Sequence, residues 1–232
     1  MRLSQILFSQ GFGTRRECEH RILAGTVSVN GQICEDPDEV FETPGLTFEV
    51  DGRPWPFHAQ ALILLHKPAG YECSMKPRHH PSVMSLLPAP LRLRSGGGLQ
   101  PVGRLDEDTT GVLLLTDDGP LIHRLTSPRH HVAKVYEVTT RHPVSHEQVQ
   151  ALLQGVVLDD SPHSVQAQAC ERVDDHHLRL TLTEGKYHQV KRMVAAVGNR
   201  VEALHRSAVG AVTLPENLAP GQWCWLDRSL VG

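Results

Sequence analysis

Several features that would classify a sequence at once are missing from this one. Its five cysteines (Cys18, Cys34, Cys73, Cys170 and Cys224) are odd in number, widely spaced and form no C-x-x-C pair. That excludes a disulfide framework and a zinc ribbon as organising principles. No apolar run approaches the roughly 20 residues needed to span a bilayer. The longest, Ala61-Leu62-Ile63-Leu64-Leu65, suits a buried strand, so no membrane partner is expected. The opening residues Met1-Arg2-Leu3-Ser4-Gln5 contain no signal-peptide core, which makes a cytoplasmic location the expectation. A large positive charge is also lacking. The net charge is −3, so the chain is no polycation that coats nucleic acid indiscriminately. Among its 15 histidines, the pairs His79-His80, His130-His131 and His176-His177 are adjacent and diverge, and His142-x-x-x-His146 lacks the Glu of H-E-x-x-H. No metal site is expected.

What is present is an ordinary globular composition, with 40% hydrophobic and 21% charged residues over 232 positions. The length fits one large domain, or a small one followed by a medium one. Positive charge is concentrated locally. Residues 61–105 hold Lys67, Lys76, Arg78, Arg92, Arg94 and Arg104 against Glu72 alone, and residues 185–206 hold Lys186, Lys191, Arg192, Arg200 and Arg206 against Glu202. If the two segments share a face, they present a positive surface to phosphates.

The first 50 residues read as a unit of their own. Leu3, Ile6 and Leu7 recur at helical spacing, and Gly11 ends that helix. Thr14-Arg15-Arg16-Glu17 is a capping box for a second helix, which is expected to bury Cys18, Ile22 and Leu23 and to stop at Gly25. Arg15 and Arg16 then sit in an exposed first turn, where cations are mildly unfavourable and a bound phosphate is one compensation. A strand over 26–29 runs into Asn30-Gly31, a strong type I′ hairpin signal. Asp51-Gly52-Arg53-Pro54-Trp55-Pro56 is read as a break between domains, because its prolines and glycine interrupt any element. Ser95-Gly96-Gly97-Gly98 reads as a flexible loop.

Beyond the break, strand and helix patterns alternate. Strands fit 62–65, 112–115 and 134–138. Leu178, Leu180 and Leu182 alternate with polar residues, and Val190, Met193, Val194 and Val197 share one helical face. Such alternation favours an antiparallel or mixed sheet. The most informative run is Gly103-Arg104-Leu105-Asp106-Glu107-Asp108-Thr109-Thr110-Gly111, which sets a carboxylate in a Gly-bounded loop just before a buried strand. For an isolated Asp, capping a turn is the plainer role, and Glu107 and Asp108 are read that way. Tyr136 lies in a strand, with Lys134 on the same face. Glu184-Gly185-Lys186-Tyr187-His188-Gln189-Val190-Lys191-Arg192-Met193 passes from a strand into a helix rich in donors.

Two resemblances follow from these residues. Arg2-Leu3, Thr14-Arg15 and Gly25-Thr26-Val27-Ser28-Val29-Asn30-Gly31 resemble an S4-type RNA-binding domain, which implies RNA contacts from Arg2, Thr14, Arg15, Arg16 and Asn30. The same 50 residues carry eight acids against four basic residues. The later segments, with Leu65-His66-Lys67-Pro68-Ala69-Gly70-Tyr71, Thr126-Ser127-Pro128-Arg129-His130-His131 and Leu204-His205-Arg206, resemble a pseudouridine synthase of the RsuA-type branch, which acts on small-subunit (16S) ribosomal RNA. The implied fold is α+β. A small S4-like αα-hairpin domain over 1–57 precedes a catalytic domain over 58–232, built on a mixed, mainly antiparallel sheet with flanking helices and a central cleft.

That resemblance implies a catalytic set of Asp106 (nucleophilic carboxylate), Tyr136 (stacking on the base) and Lys191 (cationic partner of the Asp, with Arg192 in reserve). It further implies substrate contacts from Arg104, Leu105, Lys134, Lys186, His188, Gln189, Arg192, Arg129 and Lys67. Attack at C1′, attack at C6 and stabilisation of an oxocarbenium-like sugar all suit a carboxylate. The isomerisation neither gains nor loses atoms, so no cofactor and no metal are expected. The implied partner is ribosomal RNA or a partly assembled small subunit, met by a monomer. Three other readings compete: a non-catalytic ribosome-assembly protein, a synthase acting on large-subunit RNA, and a magnesium-dependent nuclease using Asp106, Asp108, Asp117 and Asp118.

Overall fold

The computed structural model describes residues 1–159 and 161–231. The chain forms two compact units. One comprises Met1–Ala61 together with Leu87–Gln100, and the other comprises Leu62–Leu86 with Pro101–Gly232. A single cut after residue 57 has no place for the returning segment 87–100.

In the first unit, α1 (Leu3–Gln10) buries Leu3, Ile6 and Leu7 and ends at Gly11, whose φ of 89° needs no Cβ. The capping box opens α2 (Arg15–Leu23). Thr14 Oγ1 accepts from the Glu17 amide at 3.3 Å, and a Glu17 carboxylate oxygen accepts from the Thr14 amide at 2.6 Å. Cys18 and Ile22 are buried, but Leu23 is exposed. It lies about 100° round the helix from Ile22, off the stripe that faces the core. The Arg15 guanidinium lies 5.1 Å from the centre of the Phe8 ring, an aromatic face that favours a cation in this first turn.

Strands β1 (Val27–Val29) and β2 (Gln32–Ile33) form the hairpin, with Asn30 and Gly31 both at positive φ as a type I′ turn requires. The segment read as a domain break is itself a hairpin. β3 (Thr47–Val50) pairs with β4 (Arg53–Pro56) across Asp51-Gly52, and the sheet order is β2-β1-β3-β4. Pro54 and Pro56 are tolerated because β4 is an edge strand, where a missing N–H breaks no ladder on its outer side. The returning segment carries α3 (Ala89–Leu93). Its Arg94, only 3% exposed, donates to Gln10 Oε1 at 2.8 Å and to the His58 carbonyl at 2.6 Å. A Cβ at Gly11 would meet the Pro90 carbonyl at 2.1 Å, so glycine is what lets α1 and the segment approach.

The second unit is one large mixed sheet. Its strands are β5 (Leu62–Lys67), β6 (Gln100–Pro101), β7 (Thr110–Thr116), β8 (Lys134–Thr140), β11 (Ala169–Arg172), β12 (His177–Leu182), β13 (Val201–Val209), β14 (Val212–Thr213) and β15 (Trp223–Trp225), with β9 (Val156–Leu158) and β10 (Ser161–Val165) paired apart. The order is β11-β12-β8-β13-β7-β5-β15, and the β13–β7 pair is parallel. Helices α4 (Gly119–Thr126), α5 (His146–Gln154) and α6 (Gln189–Ala196) flank it. One core cluster gathers Leu62 and Leu64 from β5, Val112 and Leu114 from β7, and Leu121 and Leu125 from α4. At about 2 kcal/mol for each fully buried aliphatic side chain, this layer fixes β5 and β7. The expected strands over 62–65, 112–115, 134–138 and 178–182 lie within β5, β7, β8 and β12.

The parallel pair is tight where Gly111 opposes Arg206. Gly111 has φ +111°, and a Cβ there would meet the Arg206 carbonyl oxygen at 2.2 Å and its amide nitrogen at 2.8 Å. Gly111→Ala is therefore expected to destabilise the protein by at least about 2 kcal/mol. Urea unfolding monitored by circular dichroism measures it, and an unchanged midpoint would contradict this account of the β7–β13 contact.

Candidate active site

The loop 103–109 is delivered by β7 and held from beneath by β5. Lys67, at the end of β5, has no exposed surface. Its ammonium donates to the carbonyls of Pro68 (3.0 Å), Glu107 (3.1 Å) and Thr109 (2.8 Å). Burial pulls its pKa below the ordinary lysine value, opposed by Cys73 and by the acids of the loop. The Gly70 amide donates to the Glu107 carbonyl at 2.8 Å, and the Leu105 amide to Cys73 Sγ at 3.4 Å. The backbone on both sides of Asp106 is thus tied down.

Asp106 has a quarter of its side chain exposed and lies on the wall of a cleft of about 150 Å³. One carboxylate oxygen is 3.1 Å from Lys191 Nζ, and the other is 3.3 Å from His188 Nε2. Lys191 comes from the first turns of α6. His188 is the N-cap of that helix, with φ of 47°, and its ring stacks on the exposed Tyr187 at 3.8 Å. The same ammonium is closer still to Asp108, at 2.6 and 2.9 Å. Burial pushes the Asp108 carboxyl up, but the hydrogen bond and charge of Lys191 outweigh it and hold the group below the ordinary Asp value. Lys191 mirrors this. Burial pulls it down, and the bonds from Asp108 and Asp106 lift it above the ordinary lysine value.

The opposite walls come from the sheet. Tyr136 on β8 is 8% exposed and lines the cleft with Lys134, Leu182, Leu204 and Val209. Arg206, opposite Tyr136 in register, is buried and donates to the Val112 carbonyl at 2.9 Å. Burial, and then the charge of Arg206, lower the pKa of Lys134, whose ammonium donates to the Val132 carbonyl at 3.0 Å. Gln189 braces the turn before α6, accepting from the Lys186 amide and donating to Glu184, both at 2.7 Å.

The comparisons with known proteins agree with this geometry. A family model described as RNA pseudouridylate synthase matches residues 61–196, and an S4 domain model matches residues 1–43. The chain belongs to the RNA pseudouridylate synthase family. It is 41% identical to the ribosomal small subunit pseudouridine synthase A of Yersinia pestis, over 96% of this chain and 93% of that protein. To the proteins of the same name from Salmonella typhimurium and Escherichia coli it is 42% and 40% identical, over 96% of this chain and 95% of theirs. A crystal structure of a pseudouridylate synthase, 34% identical, superposes with a TM-score of 0.70 over 100% of this chain and 98% of that one.

Of the residues that sequence reasoning assigned to this synthase, Asp106, Tyr136, Lys191, Arg104, Leu105, Lys134, Lys186, His188 and Gln189 line one cleft. Three others lie elsewhere. Lys67 supports the loop from below. Arg192 donates to the Tyr187 carbonyl at 3.1 Å. Arg129 is exposed on the short turn Pro128–His130, off the cleft wall. In the first unit, Arg2 pairs with Asp38 at 3.1 Å, Thr14 caps α2, Asn30 makes a turn, and Arg15 and Arg16 are exposed. Arg206 and Asp108 were missed as site residues. Arg206 stood in the basic segment but reads there as one more surface cation, and nothing in the sequence ties Asp108 to a lysine 83 residues away.

Two predictions follow from these contacts. Lys67→Met strands three carbonyls and frees the loop, so it is expected to cost about 2–4 kcal/mol of stability and to lower kcat sharply in the fraction that remains folded, measured by urea titration and turnover. Asp108→Asn tests the shared ammonium. The native carboxyl titrates below its unfolded value of 3.8, so its stabilisation is full above that pH and is lost as pH falls through the native pKa. Wild type should exceed the variant by no more than about 1 kcal/mol near neutrality, since Asp108 is half exposed, and the gap should close as the pH falls below 3.8. A gap independent of pH would rule the ion pair out as its source.

Proposed function

We propose that this protein converts a uridine of small-subunit (16S) ribosomal RNA into pseudouridine, with Asp106 as the nucleophilic carboxylate. The observation that carries the reading is a half-enclosed carboxylate with a cation on one oxygen and an imidazole on the other, on the wall of a small cleft that a buried tyrosine also lines. The names of relatives about 40% identical over nearly the whole chain support the substrate class.

The reaction breaks the N1–C1′ bond, turns the uracil and joins C5 to C1′. The C5 proton leaves and N1 gains one, so the atoms balance without oxidant or reductant. Lys191, 3.1 Å from one of its oxygens, holds the Asp106 carboxylate in place. A lysine supplies that charge without the two-pronged fork of an arginine, and Asp108 on its far side limits where the ammonium can sit. Leu182, Leu204 and Val209 exclude water, which would otherwise intercept the sugar and leave an abasic site. Tyr136 offers a flat face to the base, and its hydroxyl is a candidate to take the C5 proton. The uridine has to leave its stack to reach this cleft. Cations at its rim, Arg104 and Lys186 among them, suit the phosphates beside it.

The test uses ribosomal RNA tritiated at uridine C5. Tritium release by the purified protein, with chelator present, is expected for the wild type. Asp106→Asn should release none while its RNA affinity stays within a few-fold. Continued release by that variant, or release that stops on chelation, would overturn the assignment. The same RNA, mapped for pseudouridine, separates a small-subunit target from a large-subunit one.

A further inference from the structure

Between β5 and the short helical turn Val83–Leu86 runs a loop that the site described above does not use. Residues 73–82 contain no acid and carry Lys76, Arg78, His79 and His80, all four exposed. The acid just before them, Glu72, is spent on the backbone. One of its carboxylate oxygens accepts from the amides of His79 (2.8 Å) and His80 (2.9 Å), and the other from the amide of Arg78 (3.1 Å). Three successive N–H groups on one carboxylate hold its pKa down at about 2, so the latch stays charged at any physiological pH.

The loop is closed at its base as well. The Glu72 amide donates to the Pro81 carbonyl at 2.9 Å, the Val83 amide to the Glu72 carbonyl at 3.0 Å, and the Ser82 hydroxyl to the Ser74 carbonyl at 2.6 Å. Its root touches the catalytic loop, because Cys73, the residue after the latch, accepts from the amide of Leu105, next to Asp106. The side chains of Lys76 and Arg78 make no ion pair among the described residues. A rigid loop whose one acid is held by its own amides, whose cations are exposed and whose base bonds the residue next to Asp106 has the properties of a phosphate grip.

We propose that the Glu72-latched loop 74–80 is an RNA-binding surface, in which Lys76 and Arg78 contact backbone phosphates of the strand flanking the target uridine. The inference deepens the proposed function and rests on RNA being the substrate. Glu72 is a positioning residue here, since it acts through the loop and not on the RNA itself.

The experiment measures binding of a small-subunit rRNA transcript over a range of salt, alongside tritium release from the same RNA. The double variant Lys76→Ala/Arg78→Ala alters exposed side chains only and should fold normally by circular dichroism. It is expected to bind about 10-fold more weakly, with a salt slope about one to two units shallower, and to raise KM while kcat stays within about twofold. Glu72→Gln separates the latch from simple charge. Removing an acid would tighten RNA binding on electrostatics alone, whereas loss of the latch weakens it and speeds hydrogen exchange at the amides of Arg78, His79 and His80.

Wild-type affinity and slope in the double variant would overturn the proposal, as would tighter binding by Glu72→Gln. Weakening seen only on protein-containing subunits and not on naked RNA would also overturn it, since the loop would then meet a protein. A wild type that binds through this loop yet releases no tritium would support the loop while refuting the activity.

Discussion

One buried ammonium group holds the functional loop in place. Taking a lysine charge out of water is costly, and here it is offset by the carbonyls of Pro68, Glu107 and Thr109 converging on Lys67, together with the charges of the nearby loop acids. Two of those carbonyls belong to the residues that flank Asp108, and Asp106 begins the same turn, through the bond from the Thr109 amide to its carbonyl at 3.1 Å. The aim of the Asp106 carboxylate is therefore set by a strand some forty residues earlier. Strand β7 then carries the loop into the core, where its central residues are buried on both faces of the sheet.

On that fixed backbone, the electrostatics of the cleft form a chain of shared charges. Lys191 stands between two carboxylates, and His188 takes the remaining oxygen of Asp106. The hydrogen bonds and charges of the two carboxylates raise the Lys191 pKa against the pull of burial. The second carboxylate also keeps the flexible lysine from wandering, a restraint that an arginine fork would supply by its own geometry. Lys191 thus comes from α6, whereas the sheet brings Tyr136, the apolar Leu182, Leu204 and Val209, and the further cations Lys134 and Arg206.

Local patterns were the ones that could be read without coordinates. The capping box at Thr14, the Asn30-Gly31 turn, the alternation in β12 and the apolar face of α6 each depend on residues within a few positions of one another. Readings failed where a rule depended on neighbours in space. Prolines 54 and 56 signalled a break, yet an edge strand accepts them. Leu23 looked like core, yet it lies off the buried stripe. Arg94, Lys67 and Arg206 counted as surface cations, yet all three are buried on carbonyls, which no sequence pattern marks as lacking a partner.

The sequence by itself determined the family, through the run from Gly103 to Gly111 and the donors from Lys186 to Arg192. Together with Tyr136 it also named most of the side chains that line the cleft. Those signals survive in one dimension because each is a short string whose residue types the chemistry and the turns require. Only the tertiary structure decided that segment 87–100 returns to the first unit, that Lys67 clamps the loop from below, and that Asp108 shares the ammonium with Asp106. These are contacts between residues dozens of positions apart. Their energies depend on distance and burial, which exist only once the strands have paired.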